Sequence, residues 1–171
     1  RREAEFGNPE RELDELDHLL ELEEVGLLEG AEDPNDPWST FAGSGALGLE
    51  ALSRGAAFVA FIEEDTESIL SLRDNLERVA AGLPRSAWRI LHLDVERGLR
   101  QLANTELPFD LILLDPPYRS DEGKKALNTV VECAMLDPAG LVAIEHHRQL
   151  ALPASAGSLQ ALRRHRYGDT V

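Results

Sequence analysis

Cysteine is nearly missing from this chain: Cys133 stands alone among 171 residues, so no internal disulfide can form. That suits a reducing compartment. Cys133 falls in an apolar helical pattern and reads as a small core hydrophobe rather than a nucleophile. Long apolar runs are lacking as well, and none approaches the ~20 residues of a helical membrane span. The opening residues carry no signal-peptide pattern, so the expectation is a cytoplasmic protein with no membrane partner. Histidines with metal-ligand spacing are also wanting. His146 and His147 are neighbours, which on a strand point to opposite faces, and His18, His92 and His165 are scattered. No metal is expected. Positive charge is scarce: 17 Lys and Arg face 32 Asp and Glu, for a net charge of −15. That balance argues against a uniformly basic nucleic-acid binder.

The deficit is uneven. Residues 1–38 hold 14 acids and three arginines, whereas residues 39–171 hold 18 acids and 14 bases. A local basic surface is therefore open to the second part. At 43% hydrophobic residues, the chain can bury one core. The expected division is an acidic N-terminal helical segment, 1–38, and a catalytic-type domain, 39–171. Within the first part, Asn8 and Pro9 start a helix, with Leu13, Leu16, Leu19, Leu20 and Val25 at helical spacing and Gly26 as its stop. It reads as a partner-binding helix or as a solvated helix lying on the domain.

From residue 39 helices and strands alternate. Helices are predicted over 46–54, 66–80, 95–103 and 122–135, and strands over 57–62, 88–93, 109–114 and 140–145. In the second helix Ile69, Leu70, Leu72, Leu76 and Val79 are expected to face inward. The alternation predicts an α/β fold with a doubly wound, mostly parallel sheet. Residues 158–166 and 167–171 read as a C-terminal antiparallel hairpin.

The strand 109–114 runs into Asp115-Pro116-Pro117-Tyr118. Two prolines end the strand and forbid a helix, which leaves a rigid turn at the strand's carboxyl end, where open α/β sheets place ligands. The turn offers a carboxylate, carbonyls and a ring, suited to a flat amino-bearing group. Acids also close the earlier strands: Glu63, with Glu64 beside it, and Asp94. Either they rim one site or they cap helices. Upstream, Phe41-Ala42-Gly43-Ser44-Gly45 leads into a helix whose Gly48 completes G-x-G-x-x-G. Glu63 lies 20 residues beyond Gly43, where a ribose-binding acid would sit in a dinucleotide fold. An NAD-dependent oxidoreductase is therefore a competing reading, although nothing in the sequence supplies hydride chemistry. A third reading is a non-catalytic domain that binds partners through its acidic helix.

Residues 41–56, Phe-Ala-Gly-Ser-Gly-Ala-Leu-Gly-Leu-Glu-Ala-Leu-Ser-Arg-Gly-Ala, followed by Asp-Pro-Pro-Tyr, resemble the RsmD-type 16S ribosomal RNA guanine-N2 methyltransferases. The likeness runs from about residue 39 to 171 and takes in Ile62-Glu63-Glu64-Asp65, Asn75-Leu76 and Tyr167-Gly168-Asp169-Thr170. It implies a Rossmann-like, class I methyltransferase fold and S-adenosylmethionine as cofactor. It implies that Phe41, Ala42, Gly43, Ser44, Gly45, Glu63, Glu64, Asp94 and Val95 bind that cofactor. Gly43, Ser44 and Gly45 would pass under its methionine part, and Glu63 would take the ribose hydroxyls. Asp94 would meet the adenine amine, with Val95 beside the ring. Asp115 and the Pro116 carbonyl would hold the guanine amine, and Tyr118 would stack on the base. Another DNA or RNA base-amine methyltransferase is the nearest variant. The implied partner is small-subunit ribosomal RNA, and the expected state is a monomer. Two departures stand out. Ser39 occupies the place of an aspartate ending the family's first strand, and the family's basic N-terminal hairpin has no counterpart. Arg119, Lys124, Lys125 and the cluster Arg163-Arg164-His165-Arg166 could meet phosphates or simply be solvated.

Overall fold

Alternating apolar runs and amphipathic stretches give four strands and four helices in succession, followed by a small hairpin. The computed structural model describes residues 45–105, 108–116, 121–166 and 170–171, all in a unit that spans Pro37–Val171. The helix expected over 10–25 lies outside these residues. In chain order the elements are α1 (Ala46–Ser53), β1 (Val59–Glu63), α2 (Thr66–Val79), β2 (Trp88–His92), α3 (Val95–Ala103), β3 (Phe109–Leu114), α4 (Glu122–Glu132) and β4 (Leu136–Ile144). The short strands β5 (Ser155–Ala156) and β6 (Leu159–Gln160) then form the hairpin.

β1 pairs with β2 in parallel, from Val59↔Trp88 to Glu63↔His92. β3 pairs with β4 in parallel, ending at Leu114↔Ile144. Side chains alternate across these strands, so each pair has two apolar faces. Phe61 packs with Val59, Trp88 and Ile90 against Leu49 and Leu52 of α1 and Leu72 and Leu76 of α2. On the opposite face Ala60, Ile62, Leu91, Ile112 and Leu114 pack with Leu99 and Leu102 of α3 and Ala126 and Val130 of α4. Helices therefore cover both faces, as the alternation requires.

The first helix sits close to the sheet because it lacks side chains where it crosses. Gly45 caps α1 with φ +83°, and a methyl group there would run into Leu72. A methyl group at Gly48 would strike the Phe61 ring. These two glycines therefore serve helix–strand packing.

Several boundaries differ from expectation. In α2, Ile69, Leu72 and Leu76 are buried, but Leu70 is 56% and Val79 48% exposed. The inward stripe is narrower than the apolar composition suggested. α4 ends at Glu132 rather than 135. Ala134 takes a left-handed φ of 49°, and the Ala134 and Met135 amides donate to the Val131 and Val130 carbonyls, each at 3.1 Å. This is a Schellman ending, missed because alanine stands where glycine is usual. β4 begins at Leu136 rather than 140, with a register shift against β3 between Phe109 and Leu111. The Asp137 carboxylate accepts from the Ala139 amide at 2.9 Å, so Asp-Pro bulges out without ending the strand. The antiparallel pairing near the C-terminus also differs. β5 and β6 pair through Ala156↔Leu159, residues 161–166 form no strand, and Thr170 bridges His147. Residues 167–169 lie outside the described set.

Leu72→Ala should cost about 2–5 kcal/mol in chemical denaturation, whereas Leu70→Ala should stay within about 0.5 kcal/mol. Ala134→Gly should instead raise stability by about 1 kcal/mol, because it relieves the left-handed strain.

Candidate functional site

Parallel pairing brings the carboxyl ends of both strands in each pair to the same end. The Leu93 amide donates to the Glu63 carbonyl at 3.1 Å, and the Glu145 amide to the Leu114 carbonyl at 2.8 Å. At these ends lies a cleft of about 200 Å³. Glu63, Glu64, Asp94 and Val95, all anticipated from the sequence, line it together. Glu96 from α3 and Glu122 and Lys125 from the first turn of α4 complete its polar lining.

Each acid is held differently. Glu63 is only 1% exposed, and its Oε1 accepts from the Asp65 amide at 2.8 Å. A buried carboxylate needs such donors. Asp65 in turn caps α2 by accepting from the Ser68 amide at 2.7 Å. Glu64 is exposed, and its carbonyl lies 3.0 Å from His92 Nε2. Asp94 caps α3, accepting from the Arg97 amide at 3.0 Å, and pairs with the Arg97 guanidinium at 3.4 Å. The capping role weighed for Asp94 is thus real, and it coexists with a place in the cleft. Glu96 binds Arg100 at 3.1 Å, and Arg100 reaches Glu132 at 3.2 Å. Hydrogen bonds from Arg100, first to Glu96 and then to Glu132, raise its pKa above the ordinary arginine value. This bridge ties α3 to α4 at the surface.

Asp115 and Pro116 follow β3 on the same edge, outside the described lining of the cleft. Pro116 is buried, and a methyl group at Gly123 would press on its ring. The first turn of α4 therefore meets Pro116 through Gly123 and the cleft through Glu122 and Lys125. Gly45 sits at the start of α1, against Leu72. Phe41, Ala42, Gly43, Ser44, Pro117, Tyr118 and Arg119 lie outside the described residues. Lys124 pairs with Asp121 at 3.4 Å, and Lys125 lines the cleft. Cys133 closes the far end of α4, about 16 Å along an 11-residue helix from the cleft. His146 is 7% exposed and its Nδ1 lies 3.1 Å from the His147 carbonyl.

Glu96 and Glu122 were not anticipated, and Lys125 was anticipated only as a residue that could meet phosphates. The signal was available: the first turn of a helix that follows a parallel strand borders the carboxyl edge, and residues three or four apart share a face. Five carboxylates against one lysine favour a cationic or hydroxyl-rich ligand and repel a pyrophosphate. That charge does not favour the NAD reading. Of the glycines that prompted it, Gly45 and Gly48 pack against Leu72 and Phe61.

The fold and the cleft define an α/β protein of the methyltransferase type. Residues 35–171 match the family model described as "Conserved hypothetical protein 95", and the chain belongs to that family. It is 38% identical over 130 residues to the Bacillus subtilis "Putative rRNA methyltransferase YlbH", covering 76% of this chain and 69% of that protein. It is 34% identical over 113 residues to the Escherichia coli K12 "Ribosomal RNA small subunit methyltransferase D", covering 66% of this chain and 54% of that one. A solved Haemophilus influenzae structure titled "putative methylase" superposes with a TM-score of 0.67 at 29% identity, over 76% of this chain and 72% of that one. Thus the chain spans little more than half of the Escherichia coli relative. Among the described residues, no helix is long and apolar enough to cross a membrane.

Asp94→Ala should lower stability by about 1 kcal/mol through the lost cap. Asp94→Asn, which keeps a capping oxygen but not the charge, should cost a few tenths; thermal denaturation of both variants checks this.

Proposed function

We propose that this chain transfers a methyl group from S-adenosylmethionine to the exocyclic N2 amine of a guanine in small-subunit ribosomal RNA. The observation that carries the reading is the acidic cleft lined by Glu63, Asp94 and Glu122, on the same strand edge as the Asp115-Pro116 turn. The donor set suits the cofactor, whose sulfonium and amino groups are cationic and whose ribose and adenine offer donors. When bound, S-adenosylmethionine supplies an electrophilic methyl group. Glu63, oriented by the Asp65 amide, accepts from the ribose hydroxyls. Asp94 takes the adenine amine, Val95 flanks the ring and Glu64 borders it. The turn Phe41-Ala42-Gly43-Ser44-Gly45 holds the amino-acid end.

The acceptor nitrogen is a poor nucleophile because its lone pair is delocalised into the purine. Asp115 and the Pro116 carbonyl accept its two hydrogens, localise the lone pair and aim it. The gain is positioning and electrostatic preorganisation. Asp115 is placed to receive the proton that the amine sheds. Pro117 keeps the turn extended, and Tyr118 stacks on the base. A base inside a duplex cannot reach such a turn, so the guanine must be unpaired or flipped out. The two strand pairs are read as halves of one doubly wound sheet. The shared cluster of Ile62, Leu91 and Ile112, and the Phe58 and Phe109 rings 6.4 Å apart, support that reading. Residues 1–38 are an appended acidic segment, and a monomer working in the cytoplasm is the simplest setting.

Calorimetry should give heat with S-adenosylmethionine and none with NAD, and Glu63→Gln should weaken that binding. Asp115→Ala should cut methyl transfer to unmodified ribosomal RNA by about 10²–10³-fold with cofactor affinity unchanged. Full activity in Asp115→Ala, or no heat with the cofactor, would overturn the reading.

A further inference from the structure

The domain's positive charge is concentrated in one place. Residues 39–145 carry 17 acids and 10 bases, whereas residues 146–171 carry four arginines, three histidines and a single acid. Three of those arginines, Arg163, Arg164 and Arg166, fall with His165 in a stretch that has neither helix nor strand and is exposed throughout.

This stretch is tied down at both ends. At its start the Ala161 amide donates to the Ala154 carbonyl at 2.9 Å, and Arg164 Nη2 donates to the Leu152 carbonyl at 3.2 Å. Beyond its end, Thr170 bridges His147, and Val171 exchanges two backbone hydrogen bonds with His146, at 3.0 and 2.9 Å. His146 directly follows Glu145, whose amide binds the Leu114 carbonyl, one residue before Asp115. Arg166 is four residues from Thr170, so its Cα lies within about 14 Å of that anchor. The chain thus carries a short cationic strap to the strand edge that holds the acceptor turn.

We infer that Arg163, Arg164 and Arg166, together with Arg148, form the docking surface for the RNA backbone on either side of the target guanine. This rests on the function proposed above and names the residues that would seat its substrate. The remainder of the domain is net acidic and its cleft more so, which disfavours a polyanion there relative to this strap. Arginine is the side chain suited to phosphate, because its planar fork presents paired donors. An anchored strap also loses little conformational freedom when it meets a strand of RNA. The separation of charge assigns the acidic edge to the cationic cofactor and the basic strap to the anionic substrate.

The test compares the unaltered chain with R163A/R164A/R166A and with the triple lysine variant. Fluorescence anisotropy measures binding of a single-stranded guanine-containing ribosomal RNA fragment from 50 to 200 mM salt. The alanine variant should bind at least tenfold more weakly at the low-salt end. Its plot of log affinity against log salt should be shallower by about two, from three lost contacts at ~0.7 each. The lysine variant should keep most of the slope. S-adenosylmethionine affinity should be unchanged in both, and the melting temperature of the alanine variant should fall by no more than the loss of the exposed Arg164–Leu152 hydrogen bond accounts for, which separates docking from structural damage. An unchanged slope in the alanine variant, with RNA still bound and methylated, would overturn the strap alone. Absence of RNA binding by the unaltered chain would overturn the strap and the proposed function together.

Discussion

Everything in this domain depends on the alternation of side chains along β1. Phe61 and Ile62 are neighbours in the chain and belong to opposite layers, one against α1 and α2, the other against α3 and α4. A one-residue slip in the pairing with β2 would exchange those layers and expose both apolar clusters. The same alternation puts Glu63 on the α1–α2 side at the end of the strand, in register with His92. It is there that the Asp65 amide meets its carboxylate. Packing and site are consequently set by one register.

Much of this fold was legible in the sequence, for a physical reason. β3 and α3 run as predicted because each has unambiguous punctuation. β3 ends at two prolines, and α3 begins immediately after a capping aspartate. The misreadings fall where punctuation is weak or misleading. α4 stops at an alanine in the left-handed region, a position that composition alone marks as helix. Asp137-Pro138 suggests a break but is absorbed as a bulge in β4. Leu70 and Val79 look like core residues by type. Only the contact surface of α2 reveals that the buried stripe is limited to Ile69, Leu72 and Leu76.

The site was legible in a different way. Glu63, with Glu64 beside it, and Asp94 were legible because strand ends converge on one edge in a parallel sheet, so order along the chain stands in for position in space, whereas Val95 came from the family resemblance alone. Glu96 and Glu122 escaped because they lie in the first turns of helices, and their value depends on which way those turns face. Asp94 illustrates why competing readings of one residue need not be rivals. It caps α3 through one oxygen, pairs with the Arg97 guanidinium through the other, and still lines the cleft. Two glycines of the fingerprint show the converse: Gly45 and Gly48 also allow close packing, against Leu72 of α2 and Phe61 of β1.

The cleft is walled by residues that also complete the fold. Glu63 leans on the amide of the residue that caps α2, and Asp94 caps α3. Occupancy and folding therefore draw on the same contacts and are thermodynamically linked. A ligand that binds only the folded chain adds stability as its concentration rises above the dissociation constant, about 2.7 kcal/mol at a hundredfold excess. In a cell, the abundance of a weakened sequence variant would then track the supply of its small-molecule ligand. Substitutions harmful in isolation could drift through a lineage unnoticed wherever that supply is steady.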